Sequence, residues 1–172
     1  SNLAVRYLKA FTEDMDYISK IREFSINDRD EKVLEEIIKE KPDIVAFSTY
    51  IWNIEMVKRL SNLIKIVNSH IKILYGGPEV SYDSSNILNE LNGDYLIEGE
   101  GEKTYREFVE YTLGERDIKS IRGLYYKEEN KVIGNGNRPL MNMNEIVFPY
   151  KMDENLDNKI VYYEASRGCP FN

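Results

Sequence analysis

Groups able to act as nucleophiles, metal ligands or proton carriers near neutral pH are scarce in this chain. It has one histidine, His70, and one cysteine, Cys169. A metal site needs several such ligands, and two residues far apart in sequence are too few. A Ser-His-Asp or Cys-His arrangement fails for the same reason, because nucleophile and base must touch. Carboxylates are plentiful, at 30 Asp plus Glu, but no spacing singles out a pair. Gly99-Glu100-Gly101 resembles the start of a dinucleotide fingerprint, yet Thr104 stands where its third glycine belongs. Glu98, Glu100 and Glu102 also put negative charge where a pyrophosphate would sit at a helix N-terminus. These residues therefore predict no complete catalytic centre and disfavour NAD or FAD. Ser166-Arg167-Gly168-Cys169-Pro170-Phe171-Asn172 is the most informative stretch, reading as a strand end, a glycine turn and a thiol.

The elements that would position these residues follow from apolar periodicity. Leu3, Tyr7, Leu8 and Phe11 fall at helical spacing. Ile18, Ile21, Phe24 and Ile26 make a weaker, extended stretch. Asp30 can cap a helix whose inner face is Val33, Leu34, Ile37 and Ile38. Ile44-Val45-Ala46-Phe47 then runs without polar interruption, as a strand covered on both faces does. The unit repeats: a helical stripe from Met56 to Val67 with Asn53 as cap, a strand at Ile71–Tyr75, a short helix around Ser84–Leu91, and a strand at Asp94–Ile97. A helix carrying Tyr105, Phe108, Val109 and Leu113 closes the series at Gly114. Short strands alternating with longer helices imply right-handed crossovers and a parallel sheet. The fold class is α/β, a three-layer, Rossmann-like, doubly wound sheet.

After Gly114 the pattern changes. Gly123–Tyr126 and Lys131–Ile133 flank Glu128–Asn130 and predict a hairpin. Residues 140–158 show no period and read as a linker, and Lys159–Glu164 is again strand-like. The expected domains are 1–122, 123–158 for hairpin and linker, and 159–172 for the start of a further domain. A helix opens at Leu3 with no strand before it, although such sheets begin with a central strand, so both ends read as cut.

Composition narrows the class. The chain has 172 residues, 42% hydrophobic and 31% charged, which suits one globular domain with a real core. No apolar run is long enough to span a bilayer. Lys plus Arg total 23 and the net charge is −7, which disfavours nucleic acid or anionic lipid as partner. A single cysteine excludes an internal disulfide and fits a reducing cytoplasm.

In an open parallel sheet, ligands bind outside the carboxyl ends of the strands. Three segments should meet there: Ser48-Thr49-Tyr50-Ile51-Trp52-Asn53, Gly76-Gly77-Pro78-Glu79-Val80-Ser81 and Glu98-Gly99-Glu100-Gly101-Glu102. The glycine pair allows close approach to the backbone. Ser48, Thr49 and Ser81 offer hydroxyls, and Tyr50 and Trp52 offer flat apolar area. Such a pocket suits a large, planar, nearly neutral, amide-rich ligand. The plainer reading is a set of turns and helix caps. His70 belongs at the opposite end, as a surface residue.

Ile44–Tyr50, Gly76–Ser81 and Ile97–Glu102, with Asn2–Leu8, Gly123-Leu124 and Tyr163–Asn172, resemble in order and spacing the N-terminal part of cobalamin-dependent radical S-adenosylmethionine proteins. The resemblance implies a flavodoxin-like cobalamin domain lacking its first strand, a linker, and the first strand of a radical barrel. It implies cobalamin contacts at Ser48, Thr49, Gly76, Gly77, Pro78, Ser81, Glu98, Gly99 and Gly101. Cys169 matches the first cysteine of the family's C-x3-C-x2-C motif, whose thiolates hold a [4Fe-4S] cluster with an open iron for S-adenosylmethionine. The other two cysteines would follow Asn172, so the fragment alone should show no radical activity. The Asp-x-His-x-x-Gly motif that supplies cobalt's lower ligand in many cobalamin proteins is absent. The implied function is a module placing the corrin beside the barrel of an oxidoreductase or methyltransferase, with that barrel as its partner. The alternatives are a domain that has kept the fold but lost the cofactor, and an unrelated flavodoxin-like or nucleotide-binding enzyme.

Overall fold

The computed structural model describes residues 2–150 and 161–167. The chain divides into two compact units, Phe24–Arg138 and the pair of segments Ser1–Glu23 and Pro139–Asn172.

The unit Phe24–Arg138 is built on five strands: β1 (Ile44–Ser48), β2 (Lys72–Gly76), β3 (Tyr95–Ile97), β4 (Leu124–Glu128) and β5 (Lys131–Gly134). They lie side by side in sequence order. β1, β2 and β3 are parallel, with Ser48 opposite Gly76 and Tyr75 opposite Leu96. β4 and β5 extend the same sheet as an antiparallel hairpin. Its two-residue turn, Glu129-Asn130, has both φ angles positive (49° and 63°), the backbone that matches the twist of paired strands.

Alternating side chains assign the two faces. Val45, Phe47, Ile73, Tyr75, Leu96, Tyr125 and Val132 pack with α2 (Asp30–Lys39), α3 (Ile54–Val67) and α4 (Ser84–Glu90). Leu74, Ile97, Leu124, Tyr126 and Ile133 pack with Phe108 of α5 (Glu102–Thr112). Helices on both faces of one sheet make the three-layer, doubly wound α/β fold. α3 belongs here because Met56, Val57, Leu60 and Ile64 share one buried stripe. Phe108 is essentially fully buried, and such burial contributes on the order of 2 kcal/mol.

Asp30 stands at the first position of α2 but does not cap it. Its carboxylate instead takes Arg59 Nε of α3 at 2.5 Å. Residues 18–26, read as extended, form no strand.

Strand entry is fixed by a half-buried charge. Asp94, just before β3, accepts from Lys65 Nζ (2.6 Å), Lys72 Nζ (3.1 Å) and the Ile73 amide (2.8 Å). Burial pushes its pKa up, but these three donors outweigh that and hold it below the usual carboxylate value. Deeper in, the Tyr75 hydroxyl donates to Ser61 Oγ at 2.7 Å, and Ser61 donates to the Val57 carbonyl. Desolvation pushes the Tyr75 phenol up to about 12, against the lowering effect of Ser61. Gly93 lies against the Tyr75 ring, where a Cβ would overlap it.

In the other unit, α1 (Leu3–Phe11) is capped by Asn2 Oδ1, which accepts from the Ala4 amide at 3.0 Å. Tyr7 is buried, with the Arg167 guanidinium 5.3 Å above its ring. Arg167 also pairs with Glu164 Oε2 at 2.7 Å. Arg6 lies 5.1 Å over Tyr150, whose hydroxyl donates to the Tyr162 carbonyl. Residues 161–164, part of the strand-like stretch, form no strand. No described helix is long and apolar enough to cross a membrane.

Candidate functional site

Three segments follow the carboxyl ends of the parallel strands; the first two are joined mainly through backbone, and the third meets the second through the Ser81 hydroxyl. At the tip of β1, the Thr49 amide donates to the Gly76 carbonyl at 2.7 Å, and Thr49 Oγ1 donates to the same oxygen at 2.5 Å. Thr49 is fully buried. Its hydroxyl, read from the sequence as one a ligand could meet, donates here to the fold and closes two strand tips together. Gly77 makes that closure possible. Its φ is +116°, and a Cβ there would overlap the Thr49 carbonyl oxygen and lie 2.9 Å from the Thr49 nitrogen.

Gly76 and Gly99 are different. A Cβ on either would meet nothing within 4 Å. Both therefore border open space, and Gly99 has the positive φ (+73°) that favours glycine. Ser81 links their two loops, donating to the Gly77 carbonyl (2.8 Å) and accepting from the Gly99 amide (3.1 Å). Pro78 is exposed and opens the 3-10 turn Pro78–Val80, whose Val80 is buried.

Glu98 faces inward. Its Oε2 accepts from Ser84 Oγ at 2.6 Å. Burial first, and then the hydrogen bond to Glu98, push the Tyr125 phenol above its ordinary value. Gly101 precedes α5, and its carbonyl accepts from the Tyr105 amide at 2.7 Å. Ser48 sits half-buried opposite Gly76, and its carbonyl accepts from Asn53 Nδ2 at 2.9 Å.

Sequence reasoning cast Asn53 as a helix cap. It occupies the N-cap position of α3, but its side chain makes no cap bond to the helix. Oδ1 accepts instead from the Tyr50 amide at 2.8 Å, bracing the loop. Ser84 and Tyr125 also support the edge and were not singled out. They lie 14 and 27 positions from Glu98, beyond the reach of local patterning.

His70 stands at the other end of the sheet. It borders an open groove of about 410 Å³, with Asp43, Lys72, Tyr95 and Tyr111 among its lining residues. Cys169 lies outside the described residues. Among the described residues, no group of three or more His, Cys, Asp or Glu side chains could hold a metal ion.

Parallel strand tips, a hydrogen-bonded seam and two open glycines stand together at one edge of the sheet. These features define a domain of the doubly wound α/β class, whose ligands gather at this edge as a rule. The chain belongs to the B12 binding domain family, which it matches over residues 1–109.

Two curated relatives illustrate the likeness. An uncharacterised methyltransferase of Pyrococcus horikoshii, PH0819, is 33% identical over 144 residues, covering 79% of this chain and 31% of that protein. The cobalamin-dependent radical SAM methyltransferase TokK of Streptomyces tokunonensis is 25% identical over 146 residues, covering 77% of this chain and 21% of its own length. The chain thus spans less than a third of either relative. Among solved structures, the cobalamin-dependent radical enzyme OxsB, with aqua-cobalamin and S-adenosylmethionine bound, has a TM-score of 0.70 at 17% identity. That alignment covers 85% of this chain and 21% of OxsB. The radical methyltransferase TsrM of Kitasatospora setae has a TM-score of 0.66 at 19% identity, over 77% of this chain and 27% of TsrM. These two likenesses show the fold.

Proposed function

We propose that this domain binds cobalamin across the carboxyl edge of β1, β2 and β3, within a longer radical S-adenosylmethionine methyltransferase. The observation that carries the reading is the bare backbone at Gly76 and Gly99. A domain that had kept the fold and lost its ligand would have no reason to leave the strand tips unplugged. The open glycines suit a cofactor that brings its own amide side chains, because these can meet backbone N–H and C=O groups directly. Ser48, Gly76, Pro78, Gly99 and Gly101 would border the corrin. Thr49, Gly77, Ser81 and Glu98 would hold that border in shape.

Bound cobalamin would supply methyl transfer or electron relay, and a [4Fe-4S] cluster begun by Cys169 would supply the radical chemistry. Residues 159–172 would open the barrel that is this domain's partner. Thiolate-held clusters suit a reducing cytoplasm. The chain's single imidazole, His70, lies at the opposite end of the sheet, so the residues that would hold cobalamin here include no histidine.

The test uses the full-length protein with hydroxocobalamin, following corrin absorbance through gel filtration. Co-elution is expected for the wild type and its loss for Gly76→Trp, which fills the space above the edge. A wild-type protein that elutes free of corrin refutes the reading.

A further inference from the structure

The chain beyond β5, residues 135–138, has no regular secondary structure. Segments of that kind are usually loosely held. This one is fastened at nearly every residue. The Asn135 amide donates to the Leu124 carbonyl (3.1 Å), and its Nδ2 donates to the carbonyls of Ile118 (2.6 Å) and Ile121 (3.0 Å). The Gly136 carbonyl accepts from the Gly123 amide at 2.8 Å. Arg138 ends the series. Its Nε donates to Thr104 Oγ1 (2.9 Å) and to the Arg122 carbonyl (3.1 Å), and its guanidinium also pairs with Glu107 of α5.

This is not a surface ion pair. The side chains of Arg138 and Glu107 are 16% and 21% exposed, and Thr104 is fully buried. Thr104 Oγ1 in turn donates to the Arg122 carbonyl at 3.0 Å. One planar fork thus meets a hydroxyl, a carbonyl and a carboxylate, from α5 and from the loop before β4. The compact unit ends at this residue, with Pro139 next in the chain.

The place where the chain is pinned gives the grip a use. β4 is antiparallel to β3 and β5 is antiparallel to β4, so β5 runs with the parallel strands and the chain leaves at their carboxyl edge. Gly123 ties the exit to that edge. Its carbonyl accepts from the Glu98 amide at 2.9 Å, while its own amide reaches Gly136. Its φ is +79°, and a Cβ there would stand 3.0 Å from Thr104 Oγ1 and 3.5 Å from both Arg138 Cβ and the Glu98 carbonyl oxygen. The tip of β3, α5 and the exit therefore meet at one glycine. An exit at the amino end would start roughly 17 Å away, from five residues of strand at about 3.3 Å each. The starting point and freedom of a tether set how often what it carries meets a bound ligand.

We infer that Arg138 is a positioning residue: by gripping Thr104 and Glu107 it fixes the point and direction at which the chain leaves this domain, beside the edge where the cofactor lies. The grip stands on its own hydrogen bonds, and its service to the cofactor rests on the cobalamin reading.

The test uses the full-length protein. Leu140, 77% exposed and two positions past the anchor, is replaced by an azide-bearing amino acid and coupled there to a fluorophore, which leaves the cysteines untouched. Hydroxocobalamin, which absorbs visible light, is the quencher. A second protein carries the label in place of Ile66, near the far end of α3. With cobalamin bound, the Leu140 label should be quenched more strongly than the Ile66 label and show a single lifetime. Arg138→Ala should weaken that quenching and spread it over several lifetimes, with cobalamin affinity kept and the Ile66 label unchanged. Arg138→Lys should recover only part of it, because a point charge replaces the fork. Glu107→Ala should add little in the Arg138→Ala background, since partners in one cluster are not additive. A residue that only stabilised the fold would lower the melting point and leave the lifetime single. Should Arg138→Ala fail to fold, Arg138→Lys carries the comparison with wild type.

If the variant keeps the wild-type lifetime, the anchor is wrong and the cobalamin reading stands. Equal quenching of the Leu140 and Ile66 labels in the wild type puts the exit away from the corrin and also overturns the inference. If the wild type takes up no cobalamin, that reading falls and the service to the cofactor falls with it. The grip is then judged by the anisotropy decay of the Leu140 label, where Arg138→Ala should add a fast component, and the lack of one refutes it.

Discussion

The two ends of the sheet are held by opposite means. At the amino end, a half-buried carboxylate gathers two lysines and a backbone amide, and charge does the fastening. At the carboxyl end, the fastening between β1 and β2 is backbone against backbone, with the Thr49 hydroxyl added. The carboxyl end carries charge as well, in Glu98, but that carboxylate is held by the Ser84 hydroxyl and does not join β1 to β2. The contrast shows how one sheet can be anchored by ion pairs at one end and by main chain at the other.

The strongest way to break this contrast is Gly77→Ala. The substitution puts a Cβ into the Thr49 carbonyl and forces an alanine to φ +116°. A loss of about 3 kcal/mol is expected, read as a lower urea midpoint, with corrin binding lost as well. An unchanged midpoint would mean that the seam is not tight.

Asp94→Asn attacks the other end and leaves Lys65, whose side chain is only 15% exposed, without its carboxylate. The expected cost is about 2 kcal/mol, with corrin affinity unchanged in the protein that remains folded. The pH dependence sharpens this. The folded pKa of Asp94 is depressed, so its contribution is complete above the ordinary carboxylate value near 3.8. It is lost as pH falls through the lower folded value. Wild type and variant should therefore differ in denaturant midpoint at neutral pH and converge in acid.

Gly76→Ala is the counterpart of Gly77→Ala, one residue away. Its Cβ meets nothing and its φ is not positive. Stability should stay within about 1 kcal/mol of wild type, with any change toward greater stability from reduced freedom of the unfolded chain. Smallest of all, His70→Ala should leave both the corrin spectrum and the affinity unaltered. A spectral change would place an imidazole near cobalt and abolish the distinction between the two ends.

Much of this was legible in the sequence. The stripe Met56, Val57, Leu60, Ile64 and the strand Ile73–Tyr75 announce a helix and a strand because periodicity reports burial directly. The Glu129-Asn130 hairpin was legible for a similar reason: turn chemistry is local. The glycines of the edge were visible as residues needing close approach. What those glycines do was not. Gly76 and Gly77 look alike in sequence, yet one borders open space and the other a carbonyl 28 positions away. Thr49 and Glu98 were read by what their side chains offer, whereas their partners, Gly76 and Ser84, depend on how the strands come together. The Asp94 cluster escaped notice because Lys65 and Lys72 lie 29 and 22 positions away.

The latch between Thr49 and Gly76 needs one hydroxyl and the glycine that follows, and almost nothing of the other side chains around it. A frame fastened by main chain leaves its neighbours free to drift over generations. Descendants of this domain can therefore exchange the residues that greet the guest, and so retune which guest is welcomed, without first reinventing the scaffold.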